Sequence, residues 1–323
     1  MTVTETRPAA EAPEAPAAGR SPWRTRLSRF DLRYTPYLFI VPFFVVFGFF
    51  GVWPLLYTGW ISFHKWAMID GDQGWVGLDN YTALFKDAYF WNALLNTVLL
   101  FLLGTVPQLF AALGLAALLN RKLRASSLWR ASVLLPHVVS VVAVTLVFAQ
   151  LFGHNTGLVN DALGLFGIDR IDWQANRWSA MIGISTIIIW RYTGYNTLIF
   201  LAAMQSVPHE LKEAAMLDGA SRWRVFRSIT VPSIRPTIIF VVMMSSIGGM
   251  QIFAEPQLFD VAGTDGTGGS DRQFQTLMMY LYEKGFRDFN AGYSATLAWV
   301  MFLLIAVVSG INYALSRRIA TKG

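Results

Sequence analysis

The sequence predicts an all-α integral membrane protein with six transmembrane helices and both termini in the cytoplasm. Three observations carry that prediction. Charged residues make up 14% of the chain, against roughly 25% in soluble domains. Hydrophobic residues make up 54%. They are gathered in blocks of about 20 or more, the length that spans a ~30 Å hydrocarbon core. The Lys and Arg residues, finally, are shared unevenly among the segments between those blocks.

Residues 1–34 read as a disordered cytoplasmic tail, because the first 20 are rich in Ala, Pro, Glu and Thr with no apolar period. Arg24, Arg26, Arg29 and Arg33 then precede the first apolar block, 36–58. That block starts too late and runs too long for a cleaved signal peptide, so it reads as a signal anchor. Five more blocks follow at 93–118, 129–151, 179–205, 236–258 and 292–315. Together they make residues 35–323 one transmembrane domain. Assigned to alternate sides, 18 Lys and Arg residues fall with the two termini and the loops after the second and fourth blocks, and seven fall opposite. The positive-inside rule therefore puts both termini in the cytoplasm. The outer loops, 59–92, 152–178 and 259–291, are too short for a separate catalytic domain.

Several function classes drop out. The chain has no cysteine, which removes disulfide, zinc-thiolate and thiol-nucleophile readings. Its net charge of +6 is spread over short loops, as topology requires and a nucleic-acid surface does not. The run GTDGTGGS at 263–270 lacks the Lys-Ser/Thr pair of a phosphate loop and falls on the outer face. His64, His137, His154 and His209 show no metal-ligand spacing and read as structural. A membrane-embedded enzyme would need clustered His and carboxylate residues, and a secondary transporter two repeats totalling ten or so spans.

The longest cytoplasmic connection is 206–235. Pro208 suits a first helical position, PHELKEAAMLD at 208–218 is rich in helix formers, and Glu210 and Glu213 sit toward the positive end of the helix dipole. Leu211, Ala214 and Ala215 share a face on which the two alanines admit a close neighbour. Gly219 is suited to a left-handed helix terminus, Ser221 to the cap of a second helix with Val225 and Ile229 on one side, and Pro232 to its end. By propensity alone this helix, Gly corner, helix unit fits a protein-docking surface or a pair of helices lying on lipid headgroups, where Trp223 and the arginines are at home.

Arg191 lies about 18 Å into the fourth block. A charge there costs at least about 2.5 kcal/mol, so it must face a cavity or meet a partner. Trp190, Tyr192, Tyr195 and Asn196 surround it in sequence, offering aromatic faces and polar groups to a ligand. The alternative is a pairing of Arg191 with a carbonyl or carboxylate on another helix. The fifth block carries Ser245, Ser246, Gly248, Gly249 and Gln251, a composition that permits a local break and polar contacts. Glu255, followed by Pro256, falls near the outer rim as a helix-end residue.

The spacing Glu213-Ala214-Ala215, three residues, Gly219, nine residues, Ile229-Thr230-Val231-Pro232 closely resembles the EAA loop of the inner-membrane permease subunits of binding-protein-dependent ABC importers. Val231 stands where that family usually has Leu. WVGLDNYTALFKDAYFWNALLNT at 75–97 and WRYTGYNTLIFLAAMQSVPHELKEAAMLDGA at 190–220 also resemble the sugar-importer, maltose-type branch. The resemblance extends from about residue 36 to the C-terminus.

It implies that the 206–235 loop is a coupling helix, docking onto an ATPase through Glu213, Ala214, Ala215, Asp218, Gly219 and Ala220. It implies a substrate path formed by Arg191, Tyr192, Tyr195, Asn196, Ser245, Gly249 and Gln251. The implied partners are a second permease subunit in a heterodimer, two cytoplasmic ATPase subunits and an extracytoplasmic sugar-binding protein. This chain binds no cofactor of its own, and ATP and Mg belong to the ATPase subunits. Transport follows by alternating access. GGMQIFAEPQLF and GGSDRQFQTLMMYLYEKGF resemble importers of cellobiose or other β-glucosides; glycerol 3-phosphate or another small polar solute is the alternative.

Overall fold

The computed structural model describes residues 35, 37–121, 124–260 and 266–320. The expected tail, 1–34, and the start of the glycine-rich run lie outside them. The chain divides into two units, Met1–Tyr57 and Thr58–Gly323. Helix α1 (Tyr37–Ile61) begins in the first; the packing described below lies within the second.

After α1 comes a feature that an all-α reading does not contain, an antiparallel hairpin of β1 (His64–Ala67) and β2 (Gly71–Trp75). Gly71, with φ 75°, closes the turn without the strain a side chain would bring. The Asn80 amide donates to the carbonyls of Ser62 and His64, both at 2.9 Å, and so ties the hairpin to the next helix, α2 (Asp79–Lys86).

The remaining helices are α3 (Ala88–Leu119), α4 (Ser126–Val138), α5 (Val141–Leu151), α6 (Leu158–Gly164), α7 (Arg177–Gln205), α8 (His209–Leu217), α9 (Arg222–Ser233), α10 (Arg235–Met250), α11 (Ala254–Phe259), α12 (Leu277–Tyr282) and α13 (Ala291–Ala320). Among the described residues, three helices are long and apolar enough to cross a membrane: α1, α3 and α13 from Ala291 to Ala314. Two bent pairs raise the number to five if each counts as one span. The 29-residue α7 is long enough but too polar to be counted with them.

Helix breaks interrupt two predicted blocks. The block expected at 129–151 is two helices, α4 and α5, meeting at 87°. Pro136 removes a helical N–H and crowds the preceding turn, and Val139 then takes an extended conformation (φ −67°, ψ 144°). The block expected at 236–258 ends early, at Met250. Gln251 and Phe253 leave helical geometry before α11 restarts, with Pro256 in its first turn where a missing N–H costs nothing. On its other side α10 meets α9 at 70°. The second block starts at Ala88 rather than 93, because the Asp87 carboxylate caps it by accepting from the Tyr89 N–H at 2.9 Å.

α7 is the centre of the packing. Its first half buries Met181, Ile184 and Ile187 against Val144, Phe259 and Phe274. Its second half buries Phe200, Leu201 and Met204 against Ala112 and Ala116 of α3 and Val241 of α10. Small residues set these distances. Thr197 donates to the Ala112 carbonyl at 3.3 Å, and Gly194 lies directly on the backbone of Val133 in α4. A third cluster joins Leu84, Phe90, Leu277, Tyr280 and Leu297.

Candidate functional site

Where α7, α10 and the break before α11 meet, they leave a cavity of about 410 Å³. All seven predicted path residues line it: Arg191, Tyr192, Tyr195 and Asn196 from α7, and Ser245, Gly249 and Gln251 from α10 and its end. Helical spacing explains the set, since residues 191, 192, 195 and 196 fall on one side of a 3.6-residue helix. α3 contributes Thr105 and Gln108 at and beyond a π-helical turn, Phe101–Thr105. That turn and α10 approach so closely that a Cβ on Gly249 would lie 2.7 Å from Thr105 Oγ1. Gly249 is there for closeness, not for an unusual φ.

The charge inside the cavity is balanced. Arg191 Nη1 donates to Glu255 Oε1 at 2.9 Å and to the Tyr192 hydroxyl at 3.1 Å, and that hydroxyl donates to the same carboxylate oxygen at 3.1 Å. The two charged side chains are 14% and 4% exposed, so the pair is largely removed from water. Arg191 thus meets a carboxylate on another helix and also lines the cavity. Glu255, expected as a helix-end residue, does stand in the first turn of α11, where it is the buried partner of Arg191 because the break at Gln251–Phe253 turns α11 back toward α7.

Beside the pair, Asn196 Nδ2 donates to Ser245 Oγ at 3.2 Å and Gln108 Oε1 at 3.3 Å. This leaves Gln108 Nε2, His137 Nδ1 and Arg191 Nε without a hydrogen-bond partner among the described residues. All three belong to cavity-lining side chains. His137 also stacks on Tyr195, with ring centroids 4.7 Å apart. Sequence reasoning had set His137 aside as structural and missed Gln108, although a Gln inside an apolar run raises the same desolvation question as Arg191. Chemically the cavity offers hydrogen-bonding groups and aromatic faces around one neutralised ion pair.

The second predicted site is the elbow of α8 and α9. Pro208 is the cap of α8 rather than its first residue, one position earlier than expected. At the other end the Gly219 N–H donates to the Met216 carbonyl (3.1 Å) and the Ala220 N–H to that of Ala215 (2.9 Å), with Gly219 at φ 83°. This paired closure needs a left-handed residue, which is why glycine stands there. Ser221 Oγ then accepts from the Arg224 N–H at 3.3 Å and starts α9. Val225 is buried and Ile229 packs on the core, as expected, but Pro232 lies inside α9, which runs one residue further. Glu213, Ala214, Asp218 and Gly219 are exposed and Ala215 and Ala220 half-buried, while Leu217 is 88% exposed.

Comparison with known proteins fits this geometry. Residues 108–321 match the family model described as the binding-protein-dependent transport system inner membrane component. The lactose transport system permease protein LacF of Rhizobium radiobacter is 35% identical over 292 residues, covering 87% of this chain and 93% of its own. The arabinooligosaccharides transport system permease protein AraP of Bacillus subtilis is 33% identical over 313 residues, covering 96% and 97%. Among solved structures, a chain of the bacterial alginate ABC transporter, in complex with an alginate pentasaccharide-bound periplasmic protein, matches with a TM-score of 0.77 at 23% identity, over 91% of this chain and 98% of that one. The likeness to it shows a shared fold. With the family matched across α3 to α13, the chain belongs to the binding-protein-dependent transport system inner membrane components: it is a multi-pass inner-membrane permease subunit of an ABC transporter, and not its ATPase.

Proposed function

We propose that this permease imports an uncharged oligosaccharide through the α7–α10 cavity. The observation that carries the reading is the Arg191–Glu255 pair at 2.9 Å, which cancels the one Arg and the one carboxylate among the described residues that line the cavity. What remains for a ligand is a set of amide, hydroxyl and imidazole groups beside Tyr192 and Tyr195, a chemistry suited to sugar hydroxyls and ring faces. Lactose and arabinooligosaccharides, named for the two relatives, are of this class, as is a cellobiose-type β-glucoside. Glycerol 3-phosphate is not, since a phosphate entering there would meet a cation already neutralised.

In this reading the chain makes six spans: α1, α3 and α13, the bent pair α4–α5, the polar α7, and α10, whose bent neighbour α9 stays in the cytoplasmic elbow. It works as a heterodimer with a second permease subunit, two ATPase subunits that bind ATP and Mg, and an extracytoplasmic sugar-binding protein. The exposed Glu213, Ala214 and Gly219 give the elbow the surface for an ATPase groove. The test is reconstitution of the full complex in proteoliposomes, with ATP hydrolysis measured as binding proteins loaded with lactose, an arabinooligosaccharide, cellobiose or glycerol 3-phosphate are added. Stimulation by a neutral sugar supports the reading; stimulation by glycerol 3-phosphate alone overturns it.

A further inference from the structure

A second cavity, about 810 Å³, lies beneath the elbow, between the C-terminal end of α3 and the inner faces of α8 and α9. Among the described residues, its lining includes Arg121, His209, Lys212 and Arg222 and not one Asp or Glu. Among the described residues, Arg121 and Arg222 form no ion pair. The Lys212 ammonium donates to the Met204 carbonyl at 3.2 Å, and burial holds its pKa below the usual lysine range. A concentration of cationic side chains without a counter-charge favours an anion.

The wall beside those cations is apolar. Trp223 is 68% exposed and Leu118 53% exposed, and Phe226 stacks on Trp223 with ring centroids 5.6 Å apart. The cavity also sits where α3, one of the membrane-spanning helices, ends at Leu119. A bilayer boundary is where a Trp beside basic residues meets headgroups and the first acyl carbons together. The residues that line it, 209, 212 and 216, recur at helical spacing on one face of α8, whereas Glu213, Ala214 and Asp218 are absent from the lining.

We propose that this cavity binds the phosphodiester headgroup of an anionic phospholipid from the surrounding leaflet, its phosphate between Arg121, Lys212 and Arg222 and its upper acyl chain against Trp223 and Phe226. A free phosphate has the charge but makes no use of the apolar wall. The elbow is then two-faced, with one side open to a protein partner and the other seated on lipid. The inference rests on the membrane embedding of the family and is independent of the sugar reading.

The test uses the assembled complex in lipid nanodiscs, with Trp223 emission taken as the difference between the parent chain and Trp223→Phe. Brominated phosphatidylglycerol and brominated phosphatidylcholine are compared as quenchers at equal mole fraction. Phosphatidylglycerol should quench Trp223 preferentially, and Arg222→Gln or Lys212→Gln should each cut that preference by about fivefold, the equivalent of one basic residue near an anionic surface. Millimolar inorganic phosphate should leave the quenching unchanged. Equal quenching by the two lipids overturns the proposal, quenching relieved by phosphate assigns a soluble anion instead, and lipid quenching that appears only after the ATPase subunits are stripped from the complex gives the face to protein. Circular dichroism of each variant separates loss of the site from loss of the fold.

Discussion

The cavity and the elbow are both built where helices are broken, yet they satisfy their polar groups in opposite ways. At the cavity the bonds join residues far apart in sequence: Arg191 to Glu255, Asn196 to Gln108, Asn196 to Ser245. At the elbow the capping bonds span five residues or fewer, from Ala220 to Ala215, Gly219 to Met216 and Arg224 to Ser221. Bonds of the first kind exist only when α3, α7, α10 and α11 are assembled, so the cavity's geometry reports how those helices are packed. Bonds of the second kind hold a shape on local terms alone. An element of that kind can keep its form while its exposed face is handed from solvent to a partner.

The largest expected effect comes from unbalancing the cavity. Arg191→Met or Glu255→Leu alone leaves a buried charge without its counter-ion and should cost about 3–5 kcal/mol. The double variant replaces the pair by apolar groups of similar volume and should recover most of that loss. Thermal unfolding of the purified complex checks both. If the single variants melt with the parent chain, the pair is solvated and the contrast with the elbow fails.

Two glycines sharpen the same contrast at a smaller scale. Gly194 is needed for closeness: a Cβ there collides with the carbonyl of Val133, so α4 and α7 must separate. Gly194→Ala should destabilise the complex by about 1–3 kcal/mol, seen as a lowered melting temperature. Gly219 is needed for its φ of 83°, with open space around the missing Cβ. Gly219→Ala should cost about 1–2 kcal/mol, and only locally. Hydrogen exchange should rise at residues 209–220 while global melting is unchanged; a matching fall in melting temperature would mean the elbow is not an independent unit.

This difference also governs what could be read from sequence. Gly219 and Ser221 were legible because cap chemistry is local, and the solvation cost of a charge in an apolar run made Arg191 conspicuous. Its partner was not, since Glu255 comes back toward α7 only through the break at Gln251–Phe253, a tertiary event with no local signature. Pro136 stands in the sequence, but hydropathy averages over the 87° bend that follows it, and so reads α4 and α5 as one straight helix. The hairpin escaped for a related reason: GDQGW has little strand propensity, and the pairing depends on Asn80 and on the aromatic contact of His64 with Trp75.

The smallest effect is expected at Asp87, which combines both kinds of bonding. Its carboxylate caps α3 locally through the Tyr89 N–H and also accepts from the hydroxyls of Tyr280 and Tyr293, 193 and 206 residues away. Burial pushes its pKa up, but the two phenol bonds, the backbone bond and the nearby Lys284 outweigh it and hold the group below the usual 3.8. A depressed carboxylate stabilises the fold above its unfolded pKa, and that stabilisation is lost as pH falls through the lower, folded value. Tyr280→Phe removes one long-range bond while the local cap and Tyr293 persist. For a partly solvated carboxylate the loss should stay below about 1 kcal/mol, with the acid limb of stability moving to higher pH. Melting temperatures followed from about pH 6 to about pH 3 check this against the parent chain. An unmoved acid limb would mean that the local bond alone sets Asp87's charge, and that this corner of the molecule behaves like the elbow rather than the cavity.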